Sequence, residues 1–402
     1  MNKKQFIKEC ENSGKFNSDQ IKQIDLGFQN NLSIKQIELY VNPKFDFLQM
    51  EEMRKGFENG LTIKQVRFYA DPKFDNLQME AIRLGFEHSL TIKQVKFYAN
   101  TKFNGNQMKE ICLGFQNSLT QNSLTIEEIK LYADTKFHHY QMNQIRKGLR
   151  NGLSMEKVKF YANSKFDGNQ MYEIRHGFED NLTIEQIEVY ANSEFDDTQM
   201  EEIRLGFKNG LTMEQVNFYA NTKFNGNQMT EVRLGFENHL PMEQIEFYSD
   251  IRFNYFQMRQ IRVGFENGLT MNQIKFYANL KFDHFHMRQI RLGFQNLLTM
   301  EQIELYAKPT FNDWQMEAIR TGFEYNLTME QVQLYADLKF NADQMRQIRY
   351  GFMYGLTMKQ VKIYAKPQYD KTMMIKIREF IEQNHIDYMS QNDIKFIFQL
   401  LK

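Results

Sequence analysis

Disulfide-forming, helix-breaking and membrane-spanning features are scarce in this sequence. Two cysteines in 402 residues, Cys10 and Cys112, supply no disulfide framework and fit a reducing cytoplasm. Proline (5) and tryptophan (1) are rare, while phenylalanine (36) and tyrosine (20) are abundant. That mixture can bury a large core, which argues against a disordered chain. No run approaches the roughly 18 apolar residues of a membrane span. The opening "MNKKQFIKEC" lacks the apolar segment of a secretory leader, so neither spanning nor secretion is expected. Excess charge is missing too: 50 lysines and arginines balance 50 aspartates and glutamates, leaving no global field for a polyanion.

Catalytic signatures are likewise missing. The chain has no phosphate loop, no Gly-x-Ser-x-Gly elbow and no CxxC pair, so no enzyme activity and no cofactor are expected. Its eight histidines are scattered; His138, His139, His284 and His286 fall in two separate repeats. Histidines at i and i+2 do not share a helix face, so no metal site is expected.

What is present is a period. The pair "QM" falls at 49, 78, 107, 141, 170, 199, 228, 257, 315 and 344, with "HM" at 286 and "MM" at 373. Each step is 29 residues except 107 to 141, which is 34 because "QNSLTQNSLT" (116–125) copies a pentapeptide in tandem. The decamer "ANTKFNGNQM" accordingly stands at both 99–108 and 220–229, four periods and five residues apart. A degenerate first copy begins at Gln20, giving 12 repeats over 20–372.

Every repeat carries two helix starts. In 74–100, Asp75 with Gln78 and Thr91 with Gln94 read as capping boxes. A first helix of about 12 residues follows, with Met79, Ile82 and Phe86 at helical spacing, and then a second of about 8 or 9. Phe103 precedes the next cap, Asn104, as a hydrophobic staple would. A glycine column (Gly56, Gly85, Gly114, Gly148, Gly177, Gly206 and onward to Gly351) recurs within the first helix, at a cost of about 1 kcal/mol each against alanine. Close approach of an adjacent helix explains it. The Met column reads as core filling and the Tyr column as buried rings with satisfied hydroxyls. A two-helix unit this small cannot bury its own apolar face, so neighbours must stack.

The expected fold is therefore all-α, a single elongated α-solenoid of helix-turn-helix repeats. Residues 1–19 would supply an N-terminal capping helix and 373–402 the C-terminal capping helices. The last of these starts at Ser390 and Asp393 and ends at Leu400–Leu401. The pattern "QMxxIRxGFxxGLTxxQVxxYAxxxF" resembles 29-residue repeat arrays of uncharacterised proteins from low-GC Gram-positive bacteria and their mobile elements. The resemblance covers about 16–378. It implies a solenoid and carries no established activity or site residue.

Two sets of residues are candidates for chemistry. One is the arginine column: Arg54, Arg83, Arg146, Arg175, Arg204, Arg233, Arg262, Arg291, Arg320, Arg349 and Arg378, broken at Asp25 and Cys112. It reads as a structural ladder bonding helix C-terminal carbonyls or acidic caps, or else as donors along an anion-binding groove. The other lies where the repeats differ, at the two residues between cap and glutamine. There Tyr255, Phe256, His284, Phe285 and Trp314 cluster near Arg252, Arg259 and Arg288. Exposed rings interleaved with arginine suit a peptide hot spot or a nucleotide base; alternatively the rings fold back over the neighbouring repeat.

The second helices carry Lys64, Arg67, Lys93, Lys96, Lys157 and Lys159 early in the chain. Glu185, Glu188, Glu214, Glu243, Glu246, Glu301 and Glu304 follow later, so the charge is graded. The leading expectation is a non-enzymatic cytoplasmic scaffold, monomeric and not membrane-bound, that binds a protein or extended peptide along one face. The alternative is a helical-repeat reader of single-stranded nucleic acid, opposed by the neutral charge balance.

Overall fold

The computed structural model describes residues 3–116, 123–384 and 396. Most of the pentapeptide copy (117–122) and the expected last cap, with Ser390, Asp393 and Leu400–Leu401, lie outside the described residues. Among the described residues every regular element is an α-helix. After α1 (Lys3–Asn12), each repeat contributes a long first helix and a short second one. In chain order these are α2 (Ser18–Gln29), α3 (Ile34–Tyr40), α4 (Phe47–Glu58), α5 (Ile63–Tyr69), α6 (Asn76–Glu87), α7 (Ile92–Tyr98), α8 (Gly105–Phe115) and α9 (Ile126–Lys130). Next come α10 (His139–Arg150), α11 (Met155–Tyr161), α12 (Gly168–Glu179), α13 (Ile184–Tyr190), α14 (Asp197–Lys208) and α15 (Met213–Tyr219). Then follow α16 (Gly226–Glu237), α17 (Met242–Tyr248), α18 (Tyr255–Glu266), α19 (Met271–Tyr277), α20 (His284–Gln295) and α21 (Met300–Tyr306). The series closes with α22 (Asp313–Glu324), α23 (Met329–Gln333), α24 (Ala342–Met353), α25 (Met358–Tyr364) and α26 (Lys371–Asn384). The helices fall into two compact units, 1–213 and 214–402. Within each, successive first helices stack side by side, as in an α-solenoid.

Local chemistry sets the helix bounds. Asp75 accepts from the Gln78 backbone N–H at 2.8 Å, and Gln78 Oε1 accepts from the Asp75 N–H at 2.9 Å. Two orphan donors of α6 are thereby satisfied. Its last turn is closed by Ser89 in the left-handed region (φ 61°), where other repeats place Gly60 (φ 85°) or Gly268 (φ 78°). The second helices are shorter than expected: α7 has seven residues, ending at Tyr98. Ala99, at φ −68° and ψ 69°, leaves the helix there and turns the chain toward the next cap.

Met79, Ile82, Phe86, Val95 and Tyr98 are buried in this repeat, and their counterparts are buried in the others except at Ile21 and Phe28 of the first repeat, which are half-buried. The glycine column has a more specific cause than close helix backbones. A Cβ on Gly85 would lie 2.0 Å from the Tyr98 hydroxyl, and one on Gly293 would lie 2.0 Å from that of Tyr306. The hydroxyl of Tyr98 donates to the Ala81 carbonyl at 3.2 Å, one turn before the glycine. Glycine thus makes room for a buried hydroxyl to reach backbone. The pairing also accounts for an exception: Phe380 replaces the glycine in the residues after the last repeat, and the position thirteen later holds Asp393 instead of tyrosine.

Repeats are tied together by the glutamine of the capping box. Gln78 Nε2 donates to the carbonyl of Phe103 at 2.6 Å, and Gln257 to that of Phe282 at 2.9 Å. The staple phenylalanine therefore serves the next repeat through its ring and the previous one through its backbone. Where histidine replaces glutamine the bond survives: His286 Nε2 meets the Phe311 carbonyl at 2.8 Å, and its Nδ1 meets Asp283 at 2.7 Å.

Candidate binding face

Residues at i, i+4, i+7 and i+11 of each first helix share one face. In α18 these are Tyr255, Arg259, Arg262 and Glu266; in α20 they are His284, Arg288, Arg291 and Gln295. The first two positions vary between repeats, while the third is the arginine column.

The arginines are mostly buried, and most of their partners are side chains other than the carbonyls and caps expected. Nε of most of them reaches a glutamine or glutamate side chain on the preceding first helix, whereas Nε of Arg349 and of Arg378 has no partner among the described residues. Arg54 meets Gln23 at 2.9 Å, Arg83 meets Glu52 at 2.8 Å, Arg146 meets Glu110 at 2.9 Å and Arg175 meets Gln144 at 3.1 Å. Arg204 meets Glu173 at 2.8 Å, Arg262 meets Glu231 at 2.8 Å, Arg291 meets Gln260 at 3.1 Å and Arg320 meets Gln289 at 3.0 Å. Nη1 then turns back along its own helix, as from Arg83 to Glu87, Arg233 to Glu237, Arg320 to Glu324 and Arg378 to Glu382. Arg204 instead takes Asp180, the C-cap of α12. A glutamine or glutamate at this position on one first helix and an arginine on the next make one rung.

Breaks in the column have a structural reason. Cys112 stands where arginine is missing, and the rung position opposite is Ala81. Arg349 is the converse case. It is 7% exposed, faces Ala318, has Met353 where its own helix would place a carboxylate, and leaves Nε without a partner. Among the described residues its hydrogen bond runs 3.5 Å from Nη1 to the Ala318 carbonyl, and its guanidinium lies 5.2 Å from the Tyr350 ring.

The expected aromatic cluster divides. Tyr255, Phe256, His284 and Phe285 form one run of rings, with centroids 3.9, 4.6 and 4.0 Å apart in that order. The middle contact, nearly parallel at 19°, joins α18 to α20. The rings fold onto the neighbouring repeat and still meet solvent, with Phe256 39% and Phe285 46% exposed. Trp314, 59% exposed, has no ring contact with this run and lies 5.4 Å from the Arg346 guanidinium. Arg346 escaped the sequence reading because nothing in its spacing announces a partner in the previous repeat. Arg252 is exposed and closed onto Asp250 at 2.5 Å.

Electrostatics separates the two helices. Arg262 is buried, which opposes its charge, yet Glu231 and Glu266 hold its guanidinium above the ordinary value. Arg291 has only amide oxygens, Gln260 and Gln295 at 2.7 Å, so burial, with Arg288 and Arg259 nearby, pulls it below. Arg259 and Arg288 are exposed, and neither is in an ion pair with a described residue. A separate cleft of about 840 Å³ opens in the first unit, lined by Tyr140, Lys165, Gly168, Asn169 and other residues of a repeat joint. Among the described residues no helix is long and apolar enough to cross a membrane, and no three metal-ligating side chains cluster.

Comparison with protein-family models, with curated proteins and with solved structures returns no match for this chain.

Proposed function

We propose that the chain is a non-enzymatic repeat protein that binds a partner protein, or an extended peptide segment of one, along the first-turn face of its first helices. One observation carries this reading. The buried columns stay constant while most varying residues reach the surface beside those of the next repeat, as Phe256 does against His284. A constant scaffold that displays a variable, partly aromatic ribbon is the arrangement by which helical repeats hold partners. Two buried free thiols suit the cytoplasmic setting we assign.

Site-specific photocrosslinking tests it. A crosslinker at Phe256 or Phe285 should trap a discrete partner, whereas one at the exposed second-helix residue Glu243 should not. Capture from Glu243 alone would overturn the reading. A single-strand nucleic-acid reader would use the same rings. Here, however, the rings spend their faces on one another instead of offering them to bases.

A further inference from the structure

We propose that the α18–α20 part of this face receives an extended peptide segment whose carboxylates recur at about every third residue among apolar side chains. The inference rests on the reading above and names the partner's chemistry. Arg259 and Arg288 are exposed and make no ion pair with a described residue, although Arg259 feels the charge of Glu231, and Arg291 is half-buried with only glutamine oxygens. Elsewhere on the same stripe Arg54, Arg83 and Arg204 each meet a carboxylate, as Arg262 does on α18 itself. A partly buried guanidinium lacking its counter-ion gains most from one brought by a ligand, because desolvation has already been suffered in the free protein. One turn away the ring run supplies apolar wall, so charge and grease lie within reach of one strand.

Spacing selects the pattern. Adjacent packed helices lie about 8–10 Å apart, and an extended chain in the polyproline-II conformation advances about 3.1 Å per residue with about three residues per turn. Neighbouring repeats thus meet side chains about three residues apart. Glu266, Asp283, Asp313 and Glu317 border the patch. They would repel an unbroken phosphate backbone, while a peptide can place its few carboxylates between them.

The test uses the full-length chain and fluorescence anisotropy. The probes are labelled peptides of about 15 residues, long enough when extended to cross about five repeats. Glutamate recurs at every second, third or fourth position among leucine and phenylalanine, and lysine replaces glutamate in a matched set. A labelled random-sequence single-stranded RNA serves as the competing polyanion. The third-residue glutamate peptide should bind at least about tenfold more tightly than its lysine counterpart and than the RNA. Arg259→Glu with Arg288→Glu should weaken it about tenfold and gain binding of the lysine peptide, with an unchanged melting curve. If the double variant does not fold, Arg288→Gln alone should still lower affinity for the glutamate set selectively.

Equal binding of the two sets, no binding by any peptide, or tighter binding of the RNA would overturn the proposal. If a partner crosslinks from Phe256 and the charge reversals leave that crosslink unchanged, this inference falls and the broader reading stands. Crosslinking from Glu243 alone would remove both.

Discussion

Where α6 meets α8, Leu77 lies against Gly105, and a Cβ on that glycine would fall 2.4 Å from the Leu77 Cβ. Where α18 meets α20, the equivalent positions hold Phe256 and His284, whose rings stack at 4.6 Å. The first joint also lacks a rung, having Ala81 and Cys112, whereas the second has Gln260 and Arg291. Both joints keep the same buried methionine, isoleucine, phenylalanine and tyrosine. The module therefore separates two tasks. Buried columns hold one repeat on the next, and a few surface positions decide whether a joint is small and closed or aromatic and cationic.

The largest effect should come from attacking what both joints share. Burial raises the titration of Tyr69, Tyr190, Tyr306 and their counterparts above the ordinary tyrosine value. An unfolded tyrosine loses its proton near about pH 10, so above that pH the folded state holds more protons than the unfolded one. The stability these groups contribute is complete below that pH and falls as pH rises toward their folded values. Alkaline titration followed at 295 nm and by circular dichroism should show the buried tyrosines ionising together with loss of helix. Gradual ionisation with helix retained would contradict it.

Next in size is an exchange between the joints. Gly105→His should cost about 2–3 kcal/mol, because the new Cβ meets Leu77 backbone that cannot yield cheaply. The reverse change, His284→Gly, should cost about 1 kcal/mol through the lost ring contact and helix propensity. Thermal melting of both variants measures the asymmetry; equal losses would show that the joints do not differ as described. A core exchange follows. Gly293→Ala should cost about 2 kcal/mol by overlap with the Tyr306 hydroxyl. Tyr306→Phe should cost about 1 kcal/mol. Together they should return to within about 1 kcal/mol of the parent, because the ring carbon lies at 3.3 Å and alanine favours the helix. Denaturant titration of the four proteins closes the cycle, and strict additivity would refute the pairing. The smallest effect is a gain: Ala318→Gln should complete the rung of Arg349 and stabilise by about 1 kcal/mol.

These cases show how far the sequence could be read. The capping boxes at Asp75 and Thr91, the helix order and the core columns were legible because caps and apolar spacing act within a few residues. The partners of the arginines were not. Most Nε partners lie on the preceding first helix, 31 residues back for Arg83 and Arg262 and 36 back for Arg146 beyond the copied pentapeptide. Trp314 was placed with Phe285 because both stand at the variable pair of successive repeats, yet its neighbour is Arg346. The tandem glutamine was read as a cap only, because its second bond, to a carbonyl in the next repeat, leaves no mark on local pattern.

The sequence by itself determined the repeat, its two helices and the surface on which variation is displayed, since periodic side chains dictate which faces must be buried. Only the tertiary structure decided which arginines are neutralised and which are left with amides. That depends on residues one repeat away, which helix packing brings within hydrogen-bond reach.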